Sequence, residues 1–361
     1  MPAAVFKFSI CALSPVNMRT RDFDYHLPSH LIAQHPAIPR DSSKLLIYRP
    51  ANDEIVHTHF RNIDKFLPSD TLLVINQTRV IPARFWAKKP TGAQIEVLAL
   101  QETAPATFTA FCKPGKRLKQ GDIIQTIKGN YTLEIVDTGM EFTLKIVSPV
   151  TFSTLLKNIG VMPLPPYIKR EPYDPDYLYD EKKYQTVYAR NAGSVAAPTA
   201  GLHFTTELLS RLKKNGVEIT RLTLHVGAGT FLPVKTEDVR QHVMHEEWVE
   251  ISSKTAQTIN QARESNRPVI AVGTTCVRAL ETAAVEKGLI EPFKGKTSLM
   301  ILPGYEFKAI TGMITNFHLP RSTLLMLVCA LAGKDKILNL YQEAIEREYR
   351  FYSYGDAMLI F

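Results

Sequence analysis

The sequence predicts an α/β protein interrupted by a small all-β module, and two observations carry that prediction. From residue 198 onward, short apolar runs of strand length alternate with helical periodicity, the mark of a mainly parallel sheet or barrel. Between about Ile81 and Val150 helical periodicity is absent. Short alternating runs separated by turn residues stand there instead, the mark of a small β barrel or sandwich. The main domain is accordingly residues 18–80 and 151–361, with residues 81–150 as the insert. A chain of 361 residues is long enough for one large core and a second domain.

The elements follow in order. Residues 1–17 hold one basic residue, Lys7, and a broken apolar stretch that makes a poor signal peptide. They read as a disordered extension, or as a start site placed too early. The organised pattern begins at Met18. Residues 71–75 make a short buried strand by composition, running into Asn76-Gln77-Thr78-Arg79. In the insert, residues 94–98, 108–111, 132–136 and 142–147 alternate. Gly92, Pro114-Gly115, Gly121, Gly129-Asn130 and Gly139 punctuate them. Residues 161–180 form a proline-rich, acidic and aromatic loop. Residues 205–215 are an amphipathic helix with Leu208, Leu209 and Leu212 on one face and Gly216 as its stop. A strand at 217–226, a helix at 253–266 and a buried strand at 269–272 come next. A helix through Val277, Leu280 and Ala284, a strand at 298–302, and helices at 322–332 and 335–349 complete the chain.

Composition bounds the function. With 45% hydrophobic and 22% charged residues, the chain is an ordinary globular protein. Its longest apolar run, residues 324–332, falls far short of the ~20 residues a bilayer span needs, so no membrane role is expected. Four widely spaced cysteines without a Cys-x-x-Cys pair suggest neither a zinc ribbon nor a redox pair, and fit a reducing, cytoplasmic setting. A net charge of +8 favours an anionic partner such as nucleic acid, although many basic enzymes bind none.

Three segments stand out: Ala197–Thr205, Leu222–Phe231 and Ile314–Pro320. Each sets one histidine among small residues, hydroxyls or an amide. Small residues let a ligand approach the backbone, and a histidine shuttles protons near neutral pH. The expectation is one polar pocket lined by His203, His225 and His318. Gly227-Ala228-Gly229 opens like a dinucleotide fingerprint, but the third glycine would fall at Leu232. It reads as a loop close to a ligand or as a tight turn. His242, His245, Glu246 and Glu247 match no metalloprotease spacing, and no metal is assigned.

Gly273-Thr274-Thr275 links a strand to a helix and offers free N–H groups to an anion, with Arg278 one turn further on; the plain alternative is a turn with a hydroxyl N-cap. Arg79 and Arg84 flank the departure of the insert and suit anion contacts or an interdomain ion pair. Lys113, Lys116, Arg117 and Lys119 crowd one turn, fit for tracking a phosphate backbone or for solvent. Residues 347–358, dense in aromatics and arginines, suit base stacking or docking onto the core.

Together these segments resemble the S-adenosylmethionine:tRNA ribosyltransferase-isomerase family of queuosine biosynthesis. The resemblance runs from Met18 to the C-terminus. It includes Asn76–Arg84, the segment Met162-Pro163-Leu164-Pro165-Pro166-Tyr167-Ile168, the histidine segments, the Val272-Gly273-Thr274-Thr275 turn and the Phe351–Met358 tail. Gln77 stands where an aspartate is expected, and residues 1–17 have no counterpart. The resemblance implies a distorted, barrel-like α/β main domain with an inserted β-barrel domain. It implies transfer and isomerisation of the ribosyl part of S-adenosylmethionine onto an aminomethyl-deazaguanine at the tRNA wobble position. Epoxyqueuosine-tRNA, adenine and methionine are the products.

S-adenosylmethionine is then a consumed substrate, with no cofactor, and tRNA is the partner, with no obligate protein partner apparent. A sulfonium acidifies the adjacent 5′ carbon, so His203, His225 and His318 are candidates for the base. Gly201, Gly227 and Gly229 give backbone access, while Thr199, Thr230 and Asn316 suit hydroxyl or base edges. Gly273, Thr274, Thr275 and Arg278 suit the methionine carboxylate. Arg79, Arg84, Lys113, Lys116, Arg117 and Lys119 are the candidate tRNA contacts. The rivals are an S-adenosylmethionine-dependent RNA methyltransferase, opposed by the lack of a glycine-rich G-x-G-x-G turn after an early strand, and a non-catalytic RNA-binding protein, which leaves the histidine segments without purpose.

Overall fold

The computed structural model describes residues 18–172, 174–227, 229 and 234–361. The expected extension at 1–17 and the candidate Thr230 lie outside the described residues. The main domain opens with an antiparallel pair, β1 (Lys44–Arg49) and β2 (Glu54–His59), followed by β3 (Leu72–Asn76) and the short β4 (Thr78–Val80). Every residue of β3 is buried. Apolar side chains on both faces of a strand have this outcome when each face is covered.

The insert then begins. Strands β5 (Arg84–Lys88), β6 (Gln94–Ala104), β7 (Thr107–Lys113), β8 (Ile123–Thr126), β9 (Thr132–Asp137) and β10 (Phe142–Ile146) close into an antiparallel barrel in the order β10-β7-β6-β5-β8-β9. Alternation decides what faces inward. Ile95, Val97 and Ala99 of β6 meet Phe108, Ala110, Leu133, Ile135 and Leu144 in one core, while the residues between them face out. Helix α1 (Phe152–Ile159) follows, its N-terminus capped by the Thr151 hydroxyl, which accepts from Thr154 N at 3.2 Å. Its Phe152, Leu155, Leu156 and Ile159 complete the barrel core.

The chain returns through α2 (Asp176–Lys183), β11 (Asn191–Ser194), α3 (Thr206–Lys214), β12 (Glu218–His225), β13 (Glu247–Ile251), α4 (Ser253–Glu264), β14 (Val269–Val272), α5 (Thr274–Ala283), β15 (Phe293–Thr297), β16 (Gly312–Asn316), α6 (Thr323–Ala332), α7 (Lys334–Glu346) and β17 (Ala357–Ile360). Nine strands form one sheet in the order β15-β13-β12-β3-β14-β16-β17-β1-β2, and β11 pairs with β4 beside it. The period of two splits the core. Leu72 and Val74 of β3 join one cluster with residues of α4, α5, α6 and α7; Leu73 and Ile75 join another with Leu208 and Leu212 of α3.

Two expectations need correcting. The large sheet is mixed rather than mainly parallel. Its centre, β12-β3-β14-β16, is parallel, but β13, β15 and β17 join antiparallel partners, as β2 does. The strand expected at 298–302 lies earlier, at Phe293–Thr297. The Thr297 hydroxyl accepts from Leu299 N at 3.2 Å and turns the chain away, so Ile301 and Leu302 are buried by packing alone.

Candidate active site

The four central strands are parallel, so their C-terminal ends share one rim of the sheet. There β12 ends at His225, β3 at Asn76, β14 at Val272 and β16 at Asn316. Ligands of open α/β sheets bind outside such carboxyl ends, where loops depart and helix N-termini point inward. The side chain of Asn76 ties the rim together. Its amide donates to the Leu224 carbonyl at 2.9 Å, and its oxygen accepts from Leu224 N and Thr78 N, each at 3.1 Å.

A cavity of about 60 Å³ opens between β14 and β16. It is lined by Thr199, Gly273, Thr274, Thr275, Asn316 and His318, with Tyr167 and Ser353 closing it from other parts of the chain. Gly273 is the N-cap of α5 and has φ of 91°, a left-handed conformation suited to glycine, and no side chain caps the helix. The hydroxyl cap considered from sequence is therefore replaced by glycine. His318 Nε2 lies 2.7 Å from the Thr315 hydroxyl, and its backbone N–H donates to Tyr341 Oη at 3.0 Å. Burial pushes the His318 imidazole down to about 3, so it is neutral at physiological pH.

A larger cleft of about 790 Å³ lies between the sheet rim and the barrel. The main domain contributes His225, Val226, Gly227, Gly229, Glu247 and Trp248, and the barrel contributes Gln101, Glu102, Thr109 and Phe111. Val226 lines both recesses. His225 and Trp248 are direct partners across β12 and β13. The His225 Nδ1 lies 2.7 Å from the Thr78 hydroxyl, and burial lowers its pKa against the opposing pull of Glu250. Gly193 packs on the same ring: a Cβ there would meet Nε2 at 2.8 Å.

The three histidines do not line one cavity, and this corrects the expected pocket. His318 faces the small cavity and His225 the cleft. His203 lies behind Asn316, stacked on Phe60 at 5.0 Å, with Ser43 Oγ 2.8 Å from its Nδ1. Burial pushes it down to about 3, with Arg350 and Arg40 adding to the effect. It contacts the Asn316 amide at 3.2 Å and is a wall of neither recess. Gly201 is also set aside as a ligand contact. A Cβ there would meet Tyr188 Oη at 2.1 Å, so close packing requires the glycine.

Arg278 is the clearest reversal among the expected anion ligands. Its guanidinium turns away from the cavity. It forms a buried ion pair with Glu247 and donates through Nε to the Leu299 carbonyl at 3.0 Å. Glu247 in turn accepts from Gly227 N at 3.2 Å. Arg84 is likewise engaged: it pairs with Glu96 at 3.0 Å and donates to the Leu164 carbonyl at 2.8 Å, tying the barrel to the segment after α1. It is a brace rather than a free phosphate contact.

Arg79 is exposed and donates to the Ala189 carbonyl at 3.1 Å, while Lys113 at the end of β7 and Lys116, Arg117 and Lys119 in the β7–β8 connection are exposed. Lys113 pairs with Glu96 on β6, well along the strand from the cleft-lining Gln101 and Glu102. Gln77 donates to the Thr223 hydroxyl at 3.4 Å. Sequence reasoning missed Thr78, Gly193, Trp248 and the barrel residues. The sequence offers Glu247 only within a metal-like cluster, and its burial beside an arginine has no local sequence signal.

Fold and site together define a two-domain α/β enzyme, with a β barrel on an insertion and its polar recesses at the carboxyl rim of the sheet. The family follows from comparison: a family model described as queuosine biosynthesis protein matches residues 20–360, and the chain belongs to that family. It is 48% identical over 344 residues to the S-adenosylmethionine:tRNA ribosyltransferase-isomerase of Carboxydothermus hydrogenoformans, covering 95% of this chain and 100% of that one. The enzyme of the same name from Desulforamulus reducens is 49% identical over 348 residues, with 95% and 100% covered. A crystal structure of S-adenosylmethionine tRNA ribosyltransferase from Thermotoga maritima matches with a TM-score of 0.54 at 36% identity, over 94% of this chain and 100% of that one. Among the described residues no helix is long and apolar enough to cross a membrane.

Proposed function

We propose that the protein transfers and isomerises the ribosyl moiety of S-adenosylmethionine onto the aminomethyl-deazaguanine of a tRNA wobble position. The product is epoxyqueuosine-tRNA, with adenine and methionine released. S-adenosylmethionine is consumed, no further cofactor takes part, and the reaction belongs in the cytoplasm. The observation that carries the reading is the pair of adjoining recesses at one sheet rim, each with a histidine on its wall. A base must be neutral to accept a proton, and both are. The sulfonium acidifies C5′, and a base removing that proton leaves an ylide. Departure of adenine carries off the glycosidic electron pair and requires a proton. Methionine leaves with the electron pair of the C5′–S bond as a neutral thioether.

The cleft has room for a nucleoside, with Trp248 and Phe111 on its walls for stacking and Glu102 beside them to attract an aminomethyl cation. His225 there suits deprotonation of the aminomethyl group, with the Thr78 hydroxyl fixing its ring. The test is product analysis. The protein is incubated with S-adenosylmethionine and tRNA bearing the precursor base. Free adenine and methionine in equal amounts are expected. S-adenosylhomocysteine in their place would establish the methyltransferase instead.

A further inference from the structure

We propose that the small cavity is the pocket for a zwitterionic amino-acid head: a carboxylate on the N-terminus of α5, an ammonium on the side-chain oxygen of Asn316. The proposal rests on the reading of S-adenosylmethionine as substrate and says which part of it this recess takes. Three observations lead there. The first is the open end of α5. Gly273 caps it without a side chain and its carbonyl takes the N–H groups of Cys276 and Val277, which leaves those of Thr274 and Thr275, two residues that line the cavity, for a ligand. Such an end attracts an anion.

The second is Asn316. It is 2% exposed and lines the same cavity, and its Oδ1 is a buried acceptor with no hydrogen-bond partner. Its Nδ2 is committed elsewhere, 3.2 Å from His203 Nε2 and donating to the Tyr352 carbonyl at 3.1 Å. The amide cannot turn round without losing the bond to Tyr352, so what stays free is an acceptor. Buried acceptors without partners are costly and rare, and a donor from a ligand would satisfy this one. The third is size. About 60 Å³ holds a carboxylate, an ammonium and the carbon between them, but not a nucleoside. The cationic alternative for the carboxylate, Arg278, is spent on Glu247. The helix end is the anion site that remains in this cavity.

The test compares two nucleosides that differ in the head alone. S-adenosylhomocysteine carries the amino-acid group, and 5′-methylthioadenosine lacks it. Binding of each is measured by calorimetry to the full-length wild-type protein and to Thr275→Val and Asn316→Leu, with melting temperature as the check on folding. The wild type is expected to prefer S-adenosylhomocysteine by about 10- to 100-fold. Each variant should shrink that preference by about tenfold and leave 5′-methylthioadenosine unchanged. If Asn316→Leu does not fold, Thr275→Val, nearly isosteric, decides. A wild type without preference, or a preference that survives substitution, overturns the assignment. Binding of neither nucleoside overturns the functional reading itself, and the head-group pocket with it.

Discussion

Asn316 Nδ2 lies 3.2 Å from His203 Nε2, and that contact sets the tautomer of a buried histidine. Nδ2 carries only protons, so Nε2 must accept. The ring proton then sits on Nδ1 and is donated to Ser43 Oγ at 2.8 Å. Ser43, His203 and Asn316 thus form a relay of orientation that ends at the cavity wall. His203→Phe should keep the stack on Phe60 but release Asn316. The expected result is a rise in KM for S-adenosylmethionine of about tenfold, the cost of one hydrogen bond, with a smaller change in kcat. His203→Gln, which restores an acceptor, should recover part of the loss. Equal behaviour of the two variants in steady-state kinetics would show that the ring serves packing alone.

Acid should unfold the protein through the same groups. His203 and His318 are both pushed down to about 3 by burial, against an ordinary value near 6.5. Below about pH 6.5 the unfolded chain takes up these protons and the folded one does not, so stability falls as pH falls, down to the folded values. Above that pH both states are neutral and the groups contribute no slope. Each histidine adds about 1.4 kcal/mol per pH unit within the window. Urea unfolding at pH 7 and pH 5 should therefore show a marked loss. His203→Gln should lessen that loss by about 2 kcal/mol. The same loss in wild type and variant would mean that His203 titrates normally.

The buried pair of Arg278 and Glu247 makes an opposite prediction to the one its position in sequence invites. One turn into a helix that begins at a glycine, Arg278 looks like an anion ligand. In the fold it is 4% exposed and bound to Glu247. Arg278→Ala should lower stability by about 3–5 kcal/mol, because it strands a buried carboxylate. The double variant Arg278→Met with Glu247→Leu should regain much of that, since apolar replacement of both partners removes the stranded charge. KM for S-adenosylmethionine in whatever protein folds should change little. Denaturant titration decides between the two roles. A stable Arg278→Ala protein with a raised KM would return the residue to the substrate.

What the sequence could and could not reveal follows from this contrast. The alternation of Gln94–Ala104 and Thr132–Asp137 exposes the barrel directly, because a half-buried strand writes its two faces in its residues. The apolar run Leu72–Ile75 and the α5 turn at Gly273 mark the sheet and its rim in the same way. The motif segments around His225, Gly273 and Asn316 are legible as site material, since each stands where a parallel strand ends. Their partition between two recesses is not legible. It depends on which loops meet across the rim, and on contacts such as Thr78 with His225 that join residues 147 positions apart. The antiparallel flanks escaped for a similar reason: β17 enters the sheet from the far end of the chain.

The basic turn of the barrel yields a prediction in terms of salt. Lys116, Arg117 and Lys119 are exposed around one short turn of the barrel, and Lys113 stands beside them at the end of β7. The turn itself is anchored, since Lys89 Nζ donates to the Arg117 carbonyl at 2.9 Å and Lys119 N to Asp122 at 2.7 Å. The charged heads are therefore presented on a fixed backbone rather than on a free loop. Such groups contact phosphates and carry no base information, so they should govern affinity and leave the chemistry alone. Each phosphate contact removed should lower the slope of log affinity against log salt by about 0.7–0.9. Replacing Lys116, Arg117 and Lys119 together with alanine should thus weaken tRNA binding and flatten the slope by up to about 2–3, with kcat at saturating tRNA nearly unchanged. Arg84→Ala should behave differently. It releases Glu96 and the Leu164 carbonyl, so it should lower the melting temperature and leave the salt slope intact. Filter binding across a salt series with both variants separates the roles, and an unaltered slope in the folded triple variant would leave the turn facing solvent.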